Sequence, residues 1–431
     1  MTADTLVEAR WVIPVIPRNT VLENHTVVFS GGRIADILPT EAARVRYAGL
    51  EAKTMRLPAG VVMPGLINLH THAAMNLLRG RGADLPLMDW LTKEIWPAEG
   101  RLMSAEFVHD GSLIAGVEMI RSGVTCCSDL YFFPEAAAEG LREAGLRCAT
   151  AGIVIGFPSA WAANDEYISK CEALIERYSG DPFVRVTVGP HAPYTVSDAS
   201  LARCAALSER HDLPVHIHVN ETAGEVETSL KDHGERPVAR LARLGLLNER
   251  LISVHSVHTS NEDIRMLAEA RASVCHCPSS NLKLASGFAP VAKMMKAGIN
   301  LGIGTDGAAS NDKLDMLGET RLAAMLAKAV AGATTCAKVF DMLEAATLGG
   351  ARALHWDDEI GSLEIGKCAD MIAVDLSGIE CSPVTDPAAQ LLYSAGREHV
   401  THVWVAGRLA AGEGTEPVSY THLRAHETRE D

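Results

Sequence analysis

No apolar run in this 431-residue chain reaches the length needed to cross a bilayer. The opening residues, Met-Thr-Ala-Asp-Thr-Leu-Val-Glu, lack a basic stretch ahead of an apolar core, so a secretory signal is not expected and a cytoplasmic location is. Positive charge is in short supply: 39 Lys and Arg stand against 54 Asp and Glu, a formal net charge of -15. That argues against nucleic acid or an anionic membrane as the main partner, and leaves room for a small ligand in a local pocket. The ten cysteines follow no regular spacing and are expected to be reduced thiols packed as small apolar residues. Cys275-His276-Cys277 has no second Cys pair at zinc-finger spacing, so it is expected to be strand residues near a site. His233-Gly234-Glu235 is not followed by Pro-Cys-x-x-Cys, which removes another common zinc pattern.

What is present is a globular composition, 47% hydrophobic and 22% charged, long enough for one large domain with a satellite. Both ends read as short strands and turns. Residues 26–29 and 34–38 are expected strands around a Ser30-Gly31-Gly32-Arg33 turn, and 369–374 and 402–405 repeat the pattern. The two ends, 1–63 and 360–415, are expected to build one small β-sandwich around a continuous catalytic middle, 64–359. The last residues, 416–431, break the pattern and are expected to be a polar, disordered or foreign tail, His422 and His426 included.

The middle alternates apolar strands with helical patterns. Strands are expected to end near His70, Asp129, Gly152, Gly189, His218, His255, His276 and Asp306, with helices such as 104–122 and 261–270 between them. Eight such units over about 290 residues suit a (β/α)8 barrel of α/β class. A doubly wound open sheet is the alternative, but no Gly-rich phosphate turn follows the first strand.

The chemistry-bearing residues gather at the C-terminal ends of these strands, where a barrel builds its active site. His70-Thr71-His72 ends the run Val61-Val62-Met63-Pro64-Gly65-Leu66-Ile67-Asn68-Leu69. Later strand ends add His191, His218, His255 and Asp306. Three imidazoles with a carboxylate suit zinc or a similar divalent ion with one position left for water. The fourth strand ends in His191 and has no Lys that could bridge two ions, so one metal is expected. His216 is expected to face the opposite side from His218, in a supporting role. Proton transfer needs a carboxylate, and both Asp306 and Glu221, three residues after His218, are candidates.

These residues carry a family resemblance. Pro64-Gly65-Leu66-Ile67-Asn68-Leu69-His70-Thr71-His72 resembles the opening motif of the amidohydrolase superfamily. Within its chlorohydrolase-like branch the chain is similar to the 5-methylthioadenosine/S-adenosylhomocysteine deaminases. The matching segments include 84–91, 95–99, 190–194, His218-Val219-Asn220-Glu221-Thr222-Ala223-Gly224-Glu225, 279–287 and 304–311. The resemblance runs from about residue 5 to about residue 412. It implies one divalent ion per subunit, Zn2+, held by His70, His72, His218 and Asp306. It implies that Glu221 carries a proton to the purine ring, that Asp306 also takes the proton of the attacking water, and that His255 orients that water or stabilises the tetrahedral centre. Glu99 would bind ribose hydroxyls and His191 would touch substrate. A homo-oligomer is also implied. Related branches act on guanine, pyrimidines or chlorinated triazines, and a non-catalytic binding module on the same barrel is a more distant alternative.

One departure stands out. Many of these deaminases carry an Arg between the third and fourth barrel strands that is thought to meet the carboxylate of S-adenosylhomocysteine. Residues 151–176 contain none and offer Phe157, Pro158, Trp161 and Tyr167 instead. An apolar wall suits a methylthio group better than an amino-acid tail, so methylthioadenosine and adenosine are the favoured substrates.

Overall fold

The computed structural model describes residues 3–412; the expected tail at 416–431 lies outside them. Fifteen strands appear among the described residues: β1 Thr5–Val12, β2 Leu22–Ser30, β3 Arg33–Pro39, β4 Lys53–Pro64, β5 Leu66–Thr71, β6 Val124–Asp129, β7 Arg147–Val154, β8 Val184–Pro190, β9 Val215–Val219, β10 Leu251–His255, β11 Ser273–His276, β12 Asn300–Ile303, β13 Met371–Asp375, β14 Val400–Val405 and β15 Arg408–Ala411.

Strands β5 to β12 lie side by side in sequence order, all parallel, with helices in the connections. A doubly wound sheet would reverse its strand order part-way; this one does not. It curls until its ends meet, and the Asp306 N–H donates to the His70 carbonyl at 2.9 Å. The fold is a (β/α)8 barrel. Both faces of its strands are covered, which is why β6 and β7 are buried at every position. Gly304 permits the closure: a Cβ there would stand 2.8 Å from the backbone N of His70 and from Cys275 Sγ.

The connecting helices begin where side chains satisfy their first amides. Ser104 caps Ala105–Arg121, and Ser260 with Asp263 forms a capping box on Asn261–Glu269. The first expected helix, 104–122, therefore loses one residue at each end to its caps Ser104 and Ser122, whereas the second, 261–270, keeps its start and loses only Ala270, its C-cap.

The chain ends share a second, mixed sheet of order β15-β14-β13-β4-β1-β2-β3. Strand β4 pairs in parallel with β1 and antiparallel with β13, so the N- and C-terminal segments meet on it. After Gly65 the chain passes from β4 directly into β5, the strand that carries His70. A Cβ at Gly65 would stand 2.1 Å from Thr125 Oγ1, so the residue type follows from that contact. A buried ion pair, Arg147 Nε to Asp370 Oδ2 at 2.6 Å, ties the start of β7 to the loop before β13. No helix among the described residues is long and apolar enough to cross a membrane.

Candidate metal centre and substrate cavity

Strand β5 delivers His70 at its end and His72 just beyond it. Strand β9 delivers His218, β10 ends in His255, and Asp306 follows β12. His255 and Asp306 adopt φ of 67° and 61°, left-handed values that cost a non-glycine residue energy and that cluster at functional sites. His70, His218, His255 and Asp306 are all buried.

Three Nε2 atoms and one carboxylate oxygen converge. His70 Nε2 lies 3.2 Å from His218 Nε2, and Asp306 Oδ1 lies 3.3 Å from Nε2 of both His70 and His72. Outer partners fix two of the rings. His72 Nδ1 is 2.5 Å from the Leu130 carbonyl, and His218 Nδ1 is 2.7 Å from the His191 carbonyl. A carbonyl only accepts, so both Nδ1 atoms carry a proton and both Nε2 atoms are turned toward the cluster. Burial pushes His70 down to about 4 and also lowers His218, which keeps both rings neutral near pH 7. The neutral His218 ring thus turns its Nε2 lone pair toward Nε2 of the neutral His70 ring at 3.2 Å, beside the Asp306 carboxylate, an arrangement that calls for a cation between them. Ligands of a tetrahedral zinc with bonds of about 2.0–2.1 Å stand about 3.3 Å apart. The donor set and its spacing fit one such ion.

His216 departs from expectation. It points to the same side as His218, because residues two apart in a strand share a face. It lies at the barrel interior, where its Nε2 meets His70 Nδ1 at 2.8 Å and its Nδ1 meets Ser128 Oγ at 3.0 Å.

Above the cluster opens a cavity. His191, Glu221 and Glu99 all line it with His72, His218, His255 and Asp306. His191 follows β8, and its Nδ1 is 2.8 Å from Thr195 Oγ1; burial pushes its ring down to about 3. Glu221 stands 3.9 Å from His255 Nε2, and burial raises its carboxyl above the ordinary range. Glu99 sits on the short helix Trp96–Leu102, and its carboxylate accepts from the Tyr131 hydroxyl at 2.6 Å. Burial raises Glu99 to about 7 against the lowering effect of that hydrogen bond. No lysine or arginine lines the cavity among the described residues; Trp96 and Phe157, rings 6.1 Å apart, stand in its wall.

The sequence profile of the amidohydrolase family matches residues 61–410. The chain belongs to the amidohydrolase family. It is 44% identical over 407 residues, 94% of this chain and 92% of the relative, to the 5-methylthioadenosine/S-adenosylhomocysteine deaminase of Teredinibacter turnerae. The enzyme of the same name from Saccharophagus degradans is 43% identical over 412 residues, 95% and 92% of the two chains. Among solved structures, an adenosine deaminase from Xanthomonas campestris with bound zinc matches with a TM-score of 0.96 and 46% identity over 99% of this chain and 97% of that one. An atrazine chlorohydrolase from Arthrobacter aurescens, complexed with zinc, shares the fold at a TM-score of 0.90 and 23% identity, over 99% of each chain.

Sequence reasoning missed several groups that this amidohydrolase sets around the cluster. Ser280 and Ser310 hydroxyls donate to Asp306 Oδ2 at 2.6 and 2.8 Å, and the Gly307 N–H donates to Oδ1 at 2.8 Å. Asn281 Oδ1 accepts from His255 Nδ1 at 2.8 Å, which turns the His255 Nε2 toward the cavity. Tyr131 braces Glu99. Both serines and Asn281 lie in segments 279–287 and 304–311 that carried the family resemblance. No spacing rule assigns a hydroxyl on one loop to a carboxylate on the next.

Proposed function

We propose that this amidohydrolase is a zinc-dependent aminohydrolase of adenosine-type nucleosides, with 5′-methylthioadenosine and adenosine preferred and S-adenosylhomocysteine disfavoured. One observation carries the reading: two carboxyl groups in unlike settings line the same cavity. Asp306 accepts hydrogen bonds from Ser280, Ser310 and the Gly307 amide, the setting of an ionised carboxylate. Glu221 is buried with two long contacts, 3.5 Å to Ser286 Oγ and 3.9 Å to His255 Nε2, and burial favours its neutral, protonated form. Paired carboxyls pushed apart in this way divide the roles of base and acid.

His70, His72, His218 and Asp306 would hold the ion, and zinc when bound brings the pKa of a coordinated water toward neutrality. Asp306 accepts the proton of the attacking water. Glu221 donates its proton to the ring nitrogen beside the carbon under attack. His255, its ring held by Asn281, directs its Nε2 toward the water. The proton on Asp306 then passes to the leaving amino group. Ammonia departs as the C–N bond breaks, and Glu221 recovers its proton as the inosine-type carbonyl forms. Glu99 accepts from ribose hydroxyls and His191 touches the purine. The names of the two deaminase relatives and of the zinc-bound adenosine deaminase support this assignment.

Residues 64–359 form the catalytic unit in this reading, with the sheet that β1–β4 and β13–β15 build as its support. The assembly is a cytoplasmic homo-oligomer. The charge of -15 supports a small-molecule partner over nucleic acid or membrane.

The test is a substrate panel with zinc-loaded protein. Methylthioadenosine should give methylthioinosine, seen as falling absorbance near the adenine maximum, and dialysis against a chelator should abolish turnover until zinc is returned. A protein that ignores every adenosine analogue but acts on guanine, a pyrimidine or a chlorotriazine would move the assignment to another branch.

A further inference from the structure

Glu225 does not line the reaction cavity; it borders a separate cleft on the other side of Tyr194. It is nevertheless buried, at 6% exposure. It sits in the first turn of the helix Ala223–His233, whose N-cap Thr222 accepts the Glu225 amide at 3.2 Å. A Glu at this position ordinarily reaches back to the amide of the N-cap residue itself. Here it reaches further. Its Oε1 accepts the Asn220 N–H at 2.9 Å and its Oε2 accepts the Glu221 N–H at 2.8 Å.

Those two amides lie just past the end of β9, where no ladder partner remains. Asn220 also turns through φ 55°, a left-handed value that redirects the chain before Glu221. On the carbonyl side, Val219 and Asn220 accept from Ser256 and His258 at 3.1 and 2.8 Å. On the amide side only Glu225 holds the turn among the described residues. The Glu221 side chain has little of its own to fix it: Ser286 Oγ at 3.5 Å and His255 Nε2 at 3.9 Å.

We infer that Glu225 is a positioning residue for the reaction: its bidentate grip on the Asn220 and Glu221 amides aims the Glu221 carboxyl at the substrate ring. The inference rests on the reading of Glu221 as the proton carrier. A carboxylate with two oxygens can accept both amides. Glutamine keeps the shape but turns an NH2 group toward one of them, so the turn must shift. A small displacement of a catalytic group far from the mutated atom costs about 100-fold.

The test is a double-mutant cycle on full-length, zinc-loaded protein with methylthioadenosine. Glu225→Gln should lower kcat by about 100-fold, leave KM within about twofold, and leave the zinc content per subunit unchanged. Glu221→Gln alone should be more severe. Glu225→Gln in the Glu221→Gln background should cost nothing further, because the group it aims is gone. A helix-capping role alone would lower thermal stability and leave kcat near wild type, and that result overturns the inference. So does an equal loss of kcat in both backgrounds. Full activity in Glu221→Gln would overturn the reading of Glu221 and the inference with it. Should Glu225→Gln not fold, Glu225→Asp, which keeps both oxygens on a shorter stem, is run through the same cycle and judged by the same criteria.

Discussion

His70 Nδ1 and His216 Nε2 meet at 2.8 Å inside the barrel, and His216 Nδ1 continues to Ser128 Oγ at 3.0 Å. If His70 is to offer Nε2 to an ion, its proton must sit on Nδ1. His216 is the acceptor that keeps it there. Burial lowers His216 far enough to remain neutral, so its Nε2 lone pair is available and its own proton goes to the serine. A buried imidazole is thereby used to set the tautomer of another.

Replacing His216 by Phe should therefore weaken zinc binding without unfolding the barrel. Loss of such an outer partner costs about 10–100-fold in metal affinity. Competition against a chromogenic chelator measures it directly, and excess zinc should restore most of kcat. Affinity equal to wild type would mean that His70 needs no help to choose its tautomer.

Much of the site was legible because of where its residues sit. His70, His218, His255 and Asp306 each close an apolar strand, and a barrel brings such positions together whatever the helices do between them. The roles of Ser280, Ser310 and Asn281 were not legible. Ser280 and Asn281 reach Asp306 and His255 from the connection after β11, and Ser310 reaches Asp306 from four residues further along the chain, so none of the three stands at a strand end. Glu99 lies on no strand end at all; its helix sits in the long connection between β5 and β6, and only the family resemblance singled it out. His216 was misplaced by one step of strand geometry, since its separation of two from His218 requires a shared face.

Glu99 makes a pH prediction. Burial carries its carboxyl from 4.5 up to about 7, so in the free enzyme it is largely protonated at pH 6 and largely ionised at pH 8. The ionised form accepts stronger hydrogen bonds from ribose hydroxyls than the neutral acid does. Hence kcat/KM, which reports the free enzyme, should rise with pH through about 7. The gain should appear as a falling KM with kcat nearly flat. Glu99→Gln should remove that step and raise KM about 10–100-fold, the scale of a hydrogen bond to a charged group. A Glu99→Gln enzyme with an unchanged profile would take Glu99 out of substrate binding.

The cavity wall makes a prediction about the substrate tail. S-adenosylhomocysteine brings a carboxylate and an ammonium to the 5′ side, and methylthioadenosine brings a methyl group. Among the described residues no lysine or arginine lines the cavity, while Trp96 and Phe157 do. A carboxylate entering that wall would lose water and gain no cationic partner, and such an unpaired charge is costly. Wild-type kcat/KM should thus favour methylthioadenosine over S-adenosylhomocysteine by at least about tenfold. Phe157, 39% exposed, has room for a longer polar side chain. Phe157→Arg should raise kcat/KM for S-adenosylhomocysteine by about 10–100-fold through a charge-assisted pair with the tail, and lower that for methylthioadenosine as apolar contact is lost. Measuring both substrates on both proteins separates two outcomes. If wild type already prefers S-adenosylhomocysteine, the apolar wall does not select the substrate, and the tail lies against some other surface.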